Sequence, residues 1–456
     1  MIDNIHIKEL KETLKSNAWR QINLTLQDTQ IAQIITHLPN AFFFDSSADS
    51  RKGRFDILSA APVDIIALDK QNIEQPDIHS RVIKHSTQKR HPSPYNRLPF
   101  TCGWIGYCSY DYGANCIIES QKMLLDSNLP SLYLGRYTWS YVYDRNQKQG
   151  FITFSPECET ALKQQIIDVI TKTCKETPHN ATPNFSQKVA FEKSITFDEY
   201  KAKFKTIKTY IRKGDCYQVN FAQRFESKIT QTPIQLYFQL RTNMDTPYSG
   251  FFSLNKNSNI LCFSPEQFIS IDSRIIETRP IKGTAENNDD NGNAENLCKS
   301  EKNKAENLMI VDLLRNDLSK ICQYGSITVK ELYQLESFNN VHHLVSHIIG
   351  KLRDDITELE AFFSCFPGGS ITGAPKKRAM EIIEQLEESG RDAYCGSVFY
   401  LDDTGKFDSN ILIRSIVHSG NRLFCWGGGA ITDDSDVKEE YDESLVKVKN
   451  LTNITS

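Results

Sequence analysis

Short apolar runs of strand length, set among amphipathic helical stretches, put the narrowest limit on how this chain folds. Ala41-Phe42-Phe43-Phe44 and Phe55-Asp56-Ile57-Leu58 read as buried strands. Tyr137 to Tyr143 alternates large residues, and Phe151-Ile152-Thr153-Phe154 follows a glycine turn, a hairpin pattern. Val219 to Phe225, Ile260 to Phe263, Ile411 to Ile413 before Arg414, and Phe424 to Ala430 extend the series. Between them, Tyr200, Phe204, Ile207 and Ile211 recur at helical spacing behind a cap at Thr196 or Asp198, and Gly214 stops the helix. No apolar run reaches the roughly 18 residues that a spanning helix needs. The pattern is that of a globular α+β protein without internal repeats.

The polar, two-proline stretch Thr177 to Asn184 reads as a linker or surface loop. It suggests an N-terminal region, 1–178, a linker, 179–193, and a C-terminal region, 194–456. The loop is short, so one composite core shared by both halves is preferred over two separate domains. Asn287 to Asn296, rich in Asn and Asp, reads as a mobile loop. The 53 Lys plus Arg nearly balance the 57 Asp plus Glu, giving a net charge of −4. That balance argues against a nucleic-acid binder driven by phosphate neutralisation. The 12 cysteines form no C-x-x-C pair, and the N-terminus carries no basic-then-apolar leader. Both point to reduced thiols in a cytoplasmic protein.

Five stretches carry candidate chemistry. In Glu277-Thr278-Arg279-Pro280-Ile281-Lys282-Gly283-Thr284, a lysine between an apolar residue and a glycine can be desolvated toward a nucleophilic amine; a solvated loop lysine is the commoner case. Glu266, in Ser264-Pro265-Glu266 after an apolar strand, is a candidate general acid or simply a turn carboxylate. Glu306 on one helix, with Glu440 and Glu443 on another, offers hard carboxylate ligands, although acidic residues also suit helix N-termini. Gly368-Gly369-Ser370-Ile371-Thr372-Gly373-Ala374-Pro375 leads into a helix and is either an anion site or a tight turn. Gly427-Gly428-Gly429 ends a strand, allowing close approach to a carboxylate or another chain segment, and Arg414 is a potential carboxylate partner. For His342-His343, a core or hydrogen-bonding role outranks metal binding.

These stretches, with Gly214-Asp215-Cys216-Tyr217-Gln218-Val219-Asn220 and Val341-His342-His343-Leu344-Val345-Ser346, occur in an order that resembles the chorismate-utilising enzymes, densely over Ser194 to Val448. The resemblance implies a large β-sandwich flanked by helices, as in anthranilate synthase component 1. Pro-Ile-Lys-Gly-Thr around Lys282 is similar to aminodeoxychorismate synthases, whereas anthranilate synthases carry alanine there. Relatives that add water use a lysine where this chain has Gln218. The resemblance further implies Mg2+ on Glu306, Glu440 and Glu443, attack by Lys282 on chorismate C2, and proton donation by Glu266 to the departing C4 hydroxyl. Ammonia then adds at C4. Gly283, Thr284, Ser370 and Gly427 to Gly429 would hold carboxylates, with Arg414 and Tyr400 near the enolpyruvyl group and His343 beside the ring. Asn303 stands where some relatives have an acidic residue. The family pattern also implies a separate glutamine amidotransferase subunit as ammonia source, no appended lyase, and a possible tryptophan pocket at Ser46, Arg54, Phe55, Pro247, Tyr248 and Ser249. Anthranilate synthase component 1 and a non-catalytic amidotransferase scaffold are the alternatives.

Overall fold

The computed structural model describes residues 4–46, 53–70, 80, 82–84, 91–118, 122, 127–176, 189–244, 246–286, 293–337 and 341–452. Among them, strands form two large antiparallel sheets of 12 and 10 strands. The larger runs from Arg20–Asn23 through Gln149–Phe154, Trp139–Asp144, Phe55–Ser59 and Phe42–Asp45. It continues through Tyr248–Asn255, Ser258–Ser264, Ser415–Ser419, Arg422–Ile431 and Gln218–Lys228. In the smaller sheet, Ile281–Glu286, Val341–Lys351, Ile275–Thr278, Gln267–Asp272, Phe407–Asn410 and Ser397–Asp402 lead to Gly103–Cys108, Leu132–Tyr137 and Asp64–Leu68.

Each sheet therefore joins the two chain halves by backbone pairing. Phe42 to Asp45 pair with Phe252 to Ser249, and Gly103 to Cys108 pair with Asp402 to Ser397. A composite fold follows directly. One core joins Phe42, Ile260 and Ile105 to Phe268 and Phe399, which pack on Phe362 of helix Glu358–Cys365. A second lies between the larger sheet and its helices, built on Phe43, Phe221, Leu261, Tyr200 and Ile383. Strand alternation divides these residues between the faces, and each fully buried large side chain contributes about 1.5–3 kcal/mol.

Helix Phe197–Arg212 starts at Thr196, whose side chain accepts from Glu199 N while the Glu199 carboxylate accepts from Thr196 N at 2.7 Å. Tyr200, Phe204 and Ile207 are its buried stripe. Three sequence expectations change. Tyr137 to Tyr143 is parts of two strands, Leu132–Tyr137 and Trp139–Asp144, rather than one. Ile411 to Arg414 is not a strand, because Arg414 takes a left-handed φ of 51° that breaks the extended run. Asn293 to Asn296, expected within a loop, begin helix Asn293–Lys299; residues 287–292 lie outside the described residues. So do residues 177–188 of the expected linker, while Glu192–Lys193 at its end pairs with Phe225 and Glu226. No helix among the described residues is long and apolar enough to cross a membrane.

Candidate active site

Lys282 sits near the start of strand Ile281–Glu286, beyond the break that Pro280 makes after Ile275–Thr278. Gly283 next to it has φ +80°, and a Cβ there would lie 2.8 Å from Leu297 and 3.0 Å from Asn303. Glycine is needed on both counts. The resulting irregularity between Ile281 and Thr284 turns the lysine inward, and its Nζ donates to Ser370 O at 3.3 Å. Burial lowers the Lys282 pKa, against the opposing pull of Glu306 and Glu266.

Glu266 follows strand Ser258–Ser264 and is buried, with its backbone N bonded to Ser264 Oγ at 3.1 Å. Burial raises its carboxyl pKa, while Lys282 and the Ser370 hydroxyl act the other way. Ser370 thus acts on both titrating groups, accepting from the amine through its carbonyl and lowering the carboxyl pKa through its side chain. A depressed lysine beside an elevated carboxyl is the combination expected for a nucleophile working with a proton donor.

The acidic helices converge on the same place. Helix Val437–Val446 is capped by Asp436, which accepts from Lys438 N and Glu439 N. It lies on strand Arg422–Ile431 where the three glycines leave the strand bare. A Cβ on Gly427 would meet Ser444 O at 2.1 Å, and one on Gly429 would meet Glu440 Oε2 at 2.9 Å. Gly427 and Gly429 are accordingly a helix-docking surface, while a Cβ on Gly428 would meet Phe221 O at 2.6 Å. Phe221, Ala222 and Gln223 lie opposite these glycines in the paired strand.

Burial raises the pKa values of Glu440 and Glu306, and Glu443 adds like-charge repulsion to both. Burial would raise Glu443 too, but Lys447 at 2.6 Å outweighs it and holds that carboxyl low. Lys302 lies 3.9 Å from Glu440. No His, Cys, Asp and Glu group among the described residues is already closed in metal-binding geometry. The donor chemistry still fits a hard divalent cation: carboxylate oxygens, two of them facing Gly429, share a charge load that lysines now offset.

The other expected residues divide into two groups. Arg414 is inward and its guanidinium pKa is lowered by burial, with no carboxylate bonded to it among the described residues. His343 is buried in strand Val341–Lys351 opposite Thr284, whose side chain lies outside the description. Gln218 is fully buried, and neither amide atom has a hydrogen-bond partner among the described residues.

Tyr400 does not join Lys282. Its ring packs edge-on against Phe44 and Phe100 and, with Phe55, Tyr248 and Asp408, lines two adjoining cavities of about 100 and 400 Å³. The reason is strand alternation: its neighbour Phe399 packs on Phe362 of helix Glu358–Cys365, so Tyr400 faces Phe44 of the larger sheet. Pro247 and Ser249 line the smaller cavity. Ser46 is buried with its N bonded to Asp56 at 3.0 Å, and Arg54 pairs with Asp144 at 2.7 Å.

Tyr394 stacks on Trp426 at 6.0 Å just before the glycine triplet, and sequence reasoning did not single it out. Asp392 and Cys395, flanking it, both have positive φ, so no strand or helix period marks the position. Lys447 and Lys302 were also missed, although Lys447 stands one helical turn after Glu443.

A family model for chorismate binding enzymes matches residues 40–453. Aminodeoxychorismate synthase component 1 of Salmonella typhimurium is 37% identical over 434 residues, covering 91% of this chain and 93% of its own length. The protein of the same name from Escherichia coli is 33% identical, covering 98% and 99%. The crystal structure of anthranilate synthase component I from Streptococcus pneumoniae superposes with a TM-score of 0.79 at 28% identity, covering 89% of this chain and 93% of that one.

Proposed function

The chain belongs to the chorismate binding enzyme family, and from that premise we propose that it aminates chorismate at C4 as component 1 of an aminodeoxychorismate synthase. The product is 4-amino-4-deoxychorismate, the precursor of 4-aminobenzoate and folate. The observation that carries this reading is the Lys282–Ser370–Glu266 arrangement, with the amine 3.3 Å from Ser370 O.

Neutral Lys282 attacks ring carbon C2. The diene electrons shift, the C4–O bond breaks, and Glu266 supplies the proton with which the hydroxyl leaves as water. Ammonia then forms a bond to C4, the electrons shift back, and the lysine departs from C2 as an amine. Burial serves both partners, since it favours the uncharged amine and the protonated carboxyl. Arg414, a half-buried cation without a bonded carboxylate among the described residues, takes a substrate carboxylate. Gln218 supports amination over hydration, because an amide cannot take a proton from water.

Glu306, Glu440 and Glu443 would hold Mg2+. When bound, that ion neutralises the ring carboxylate and withdraws electron density from the ring. A glutamine amidotransferase subunit would supply ammonia, with both proteins in the cytoplasm. The Tyr248–Phe55 cavities are the place for a bound tryptophan, and titration calorimetry with tryptophan tests that occupancy.

The deciding experiment incubates the chain with chorismate, ammonium and Mg2+, then identifies the product by chromatography and NMR. Aminodeoxychorismate is expected. Accumulation of fluorescent anthranilate would transfer the chain to the anthranilate synthases, and isochorismate made without ammonia would make it a hydrating enzyme.

A further inference from the structure

Strand Gln218–Lys228 has Arg422–Ile431 along one edge. Its other edge is covered at two places only, by Gly373–Ala374 beside Gln218 and Val219 and by Glu192–Lys193 beside Phe225 and Glu226. Between those short strands, among the described residues, no strand completes the ladder. Backbone groups left so deep in a core must be satisfied somehow.

Two side chains four residues apart, just after helix Lys376–Leu386, fill the gap. Glu387 Oε1 accepts from Ala222 N at 2.9 Å, and Arg391 Nη2 donates to Asn220 O at 2.7 Å. The two are themselves paired twice, Nε to Oε2 at 2.9 Å and Nη2 to Oε1 at 2.7 Å. Arg391 is 1% exposed. Its remaining terminal nitrogen, Nη1, donates to Ile371 O at 2.9 Å and lies 3.6 Å from Cys395 Sγ. Its guanidinium plane lies over Tyr110 at 4.7 Å and Tyr394 at 5.6 Å. A planar fork with every nitrogen committed fixes several segments at once, which a flexible ammonium does not.

Ile371 follows Ser370 directly. We infer that Arg391 is a positioning residue for the amination chemistry: with Glu387 it replaces the missing strand and holds Ile371, so that Ser370 keeps Lys282 and Glu266 in their working places. This rests on the roles proposed above for Lys282 and Glu266. Arg391 touches neither directly; it acts through Ser370.

The test is a double-variant cycle in the full chain, with Arg391→Lys, Ser370→Ala and both together, assayed for ammonia-dependent turnover. Arg391→Lys keeps the charge and loses the fork. It should lower kcat by about 10²-fold, the scale of a misplacement of one ångström, with the KM for chorismate changed less than about threefold. In the Ser370→Ala background, which removes the hydroxyl and keeps the carbonyl that accepts from Lys282, the same substitution should cost clearly less than in the parent, because the part of its effect carried by the hydroxyl is already lost. Glu387→Gln, which keeps an acceptor for Ala222 N, should fold normally and give a smaller kcat loss of the same kind. Multiplicative losses in the double variant, or losses confined to KM, would overturn the positioning role. So would full activity in either Arg391→Lys or Glu387→Gln. If Lys282→Ala still aminates normally, the proposed chemistry falls instead, whatever the cycle gives.

Discussion

At the scale of single residues, the site is an arrangement of groups held away from their ordinary charge states. Lys282 and Glu266 were legible in the sequence as candidates, because an apolar neighbour and a preceding buried strand signal desolvation. Their shared contact through Ser370 was not legible, since it depends on a segment some 90 residues away from the lysine (~88 by number). Tyr400 shows the opposite failure: named from the sequence, its ring packs on Phe44 and lines the cavities by Phe55 instead. Glu266→Gln should lower kcat by about 10²–10⁴-fold, the usual contribution of a positioned acid. The same change should raise stability at neutral pH by about 0.5–2 kcal/mol. The sign follows from linkage. Burial raises the folded pKa of Glu266 above its unfolded value of 4.5. The folded state therefore binds the extra proton, and stability falls as pH rises from about the unfolded pKa through the folded one. Thermal melts of the two proteins across that range check it: the difference between them should vanish at low pH. A Glu266→Gln variant that melts lower than the parent at neutral pH would count against burial as the dominant cause.

At the scale of elements, glycine does more than its motif suggests. Gly427 to Gly429 read in the sequence as allowing close approach of a ligand or another chain segment, and the Cβ positions of Gly427 and Gly429 are taken by helix Val437–Val446, that of Gly428 by the strand carrying Phe221 and Ala222. Periodicity cannot tell these cases apart, because both need the same missing side chain. Gly427→Ala places a Cβ 2.1 Å from Ser444 O and should destabilise the chain by about 1–3 kcal/mol, measured by denaturant unfolding. Gly429→Ala is subtler. Its Cβ reaches only the end of the Glu440 side chain, 2.9 Å away, so the fold should persist while the carboxylate moves. Divalent cation affinity by calorimetry should then fall by about tenfold, the lower end for a disturbed ligand shell. Equal Mg2+ affinities in the variant and the parent would separate Glu440 from the metal site. A helix start was read well where a side chain caps it, as at Thr196. The stretch Asn293 to Asn296 was misread, because composition rich in Asn says turn while packing against Ile281–Glu286 says helix.

At the scale of the whole molecule, the two halves named from the sequence are regions of chain and not independent folding units. Fragments 1–178 and 194–456, made separately, should each be insoluble or molten by near-ultraviolet circular dichroism, and mixing them should recover native signal. Independent cooperative melting of either fragment would contradict the shared core. The preference for one composite core was available from loop length alone. Strand order was not, since it links segments far apart with no local signature. That interleaving has a consequence for synthesis. Phe42 finds its edge partner only at Phe252. A ribosome adding about 5–20 residues per second leaves the phenylalanine-rich Phe42–Asp45 strand waiting roughly 10–40 s for that neighbour. During that interval a sticky, half-paired edge stands open to other nascent chains. Yield in the cell should therefore depend on chaperones that shield it, and slowing translation early in the message should harm this protein more than slowing it late.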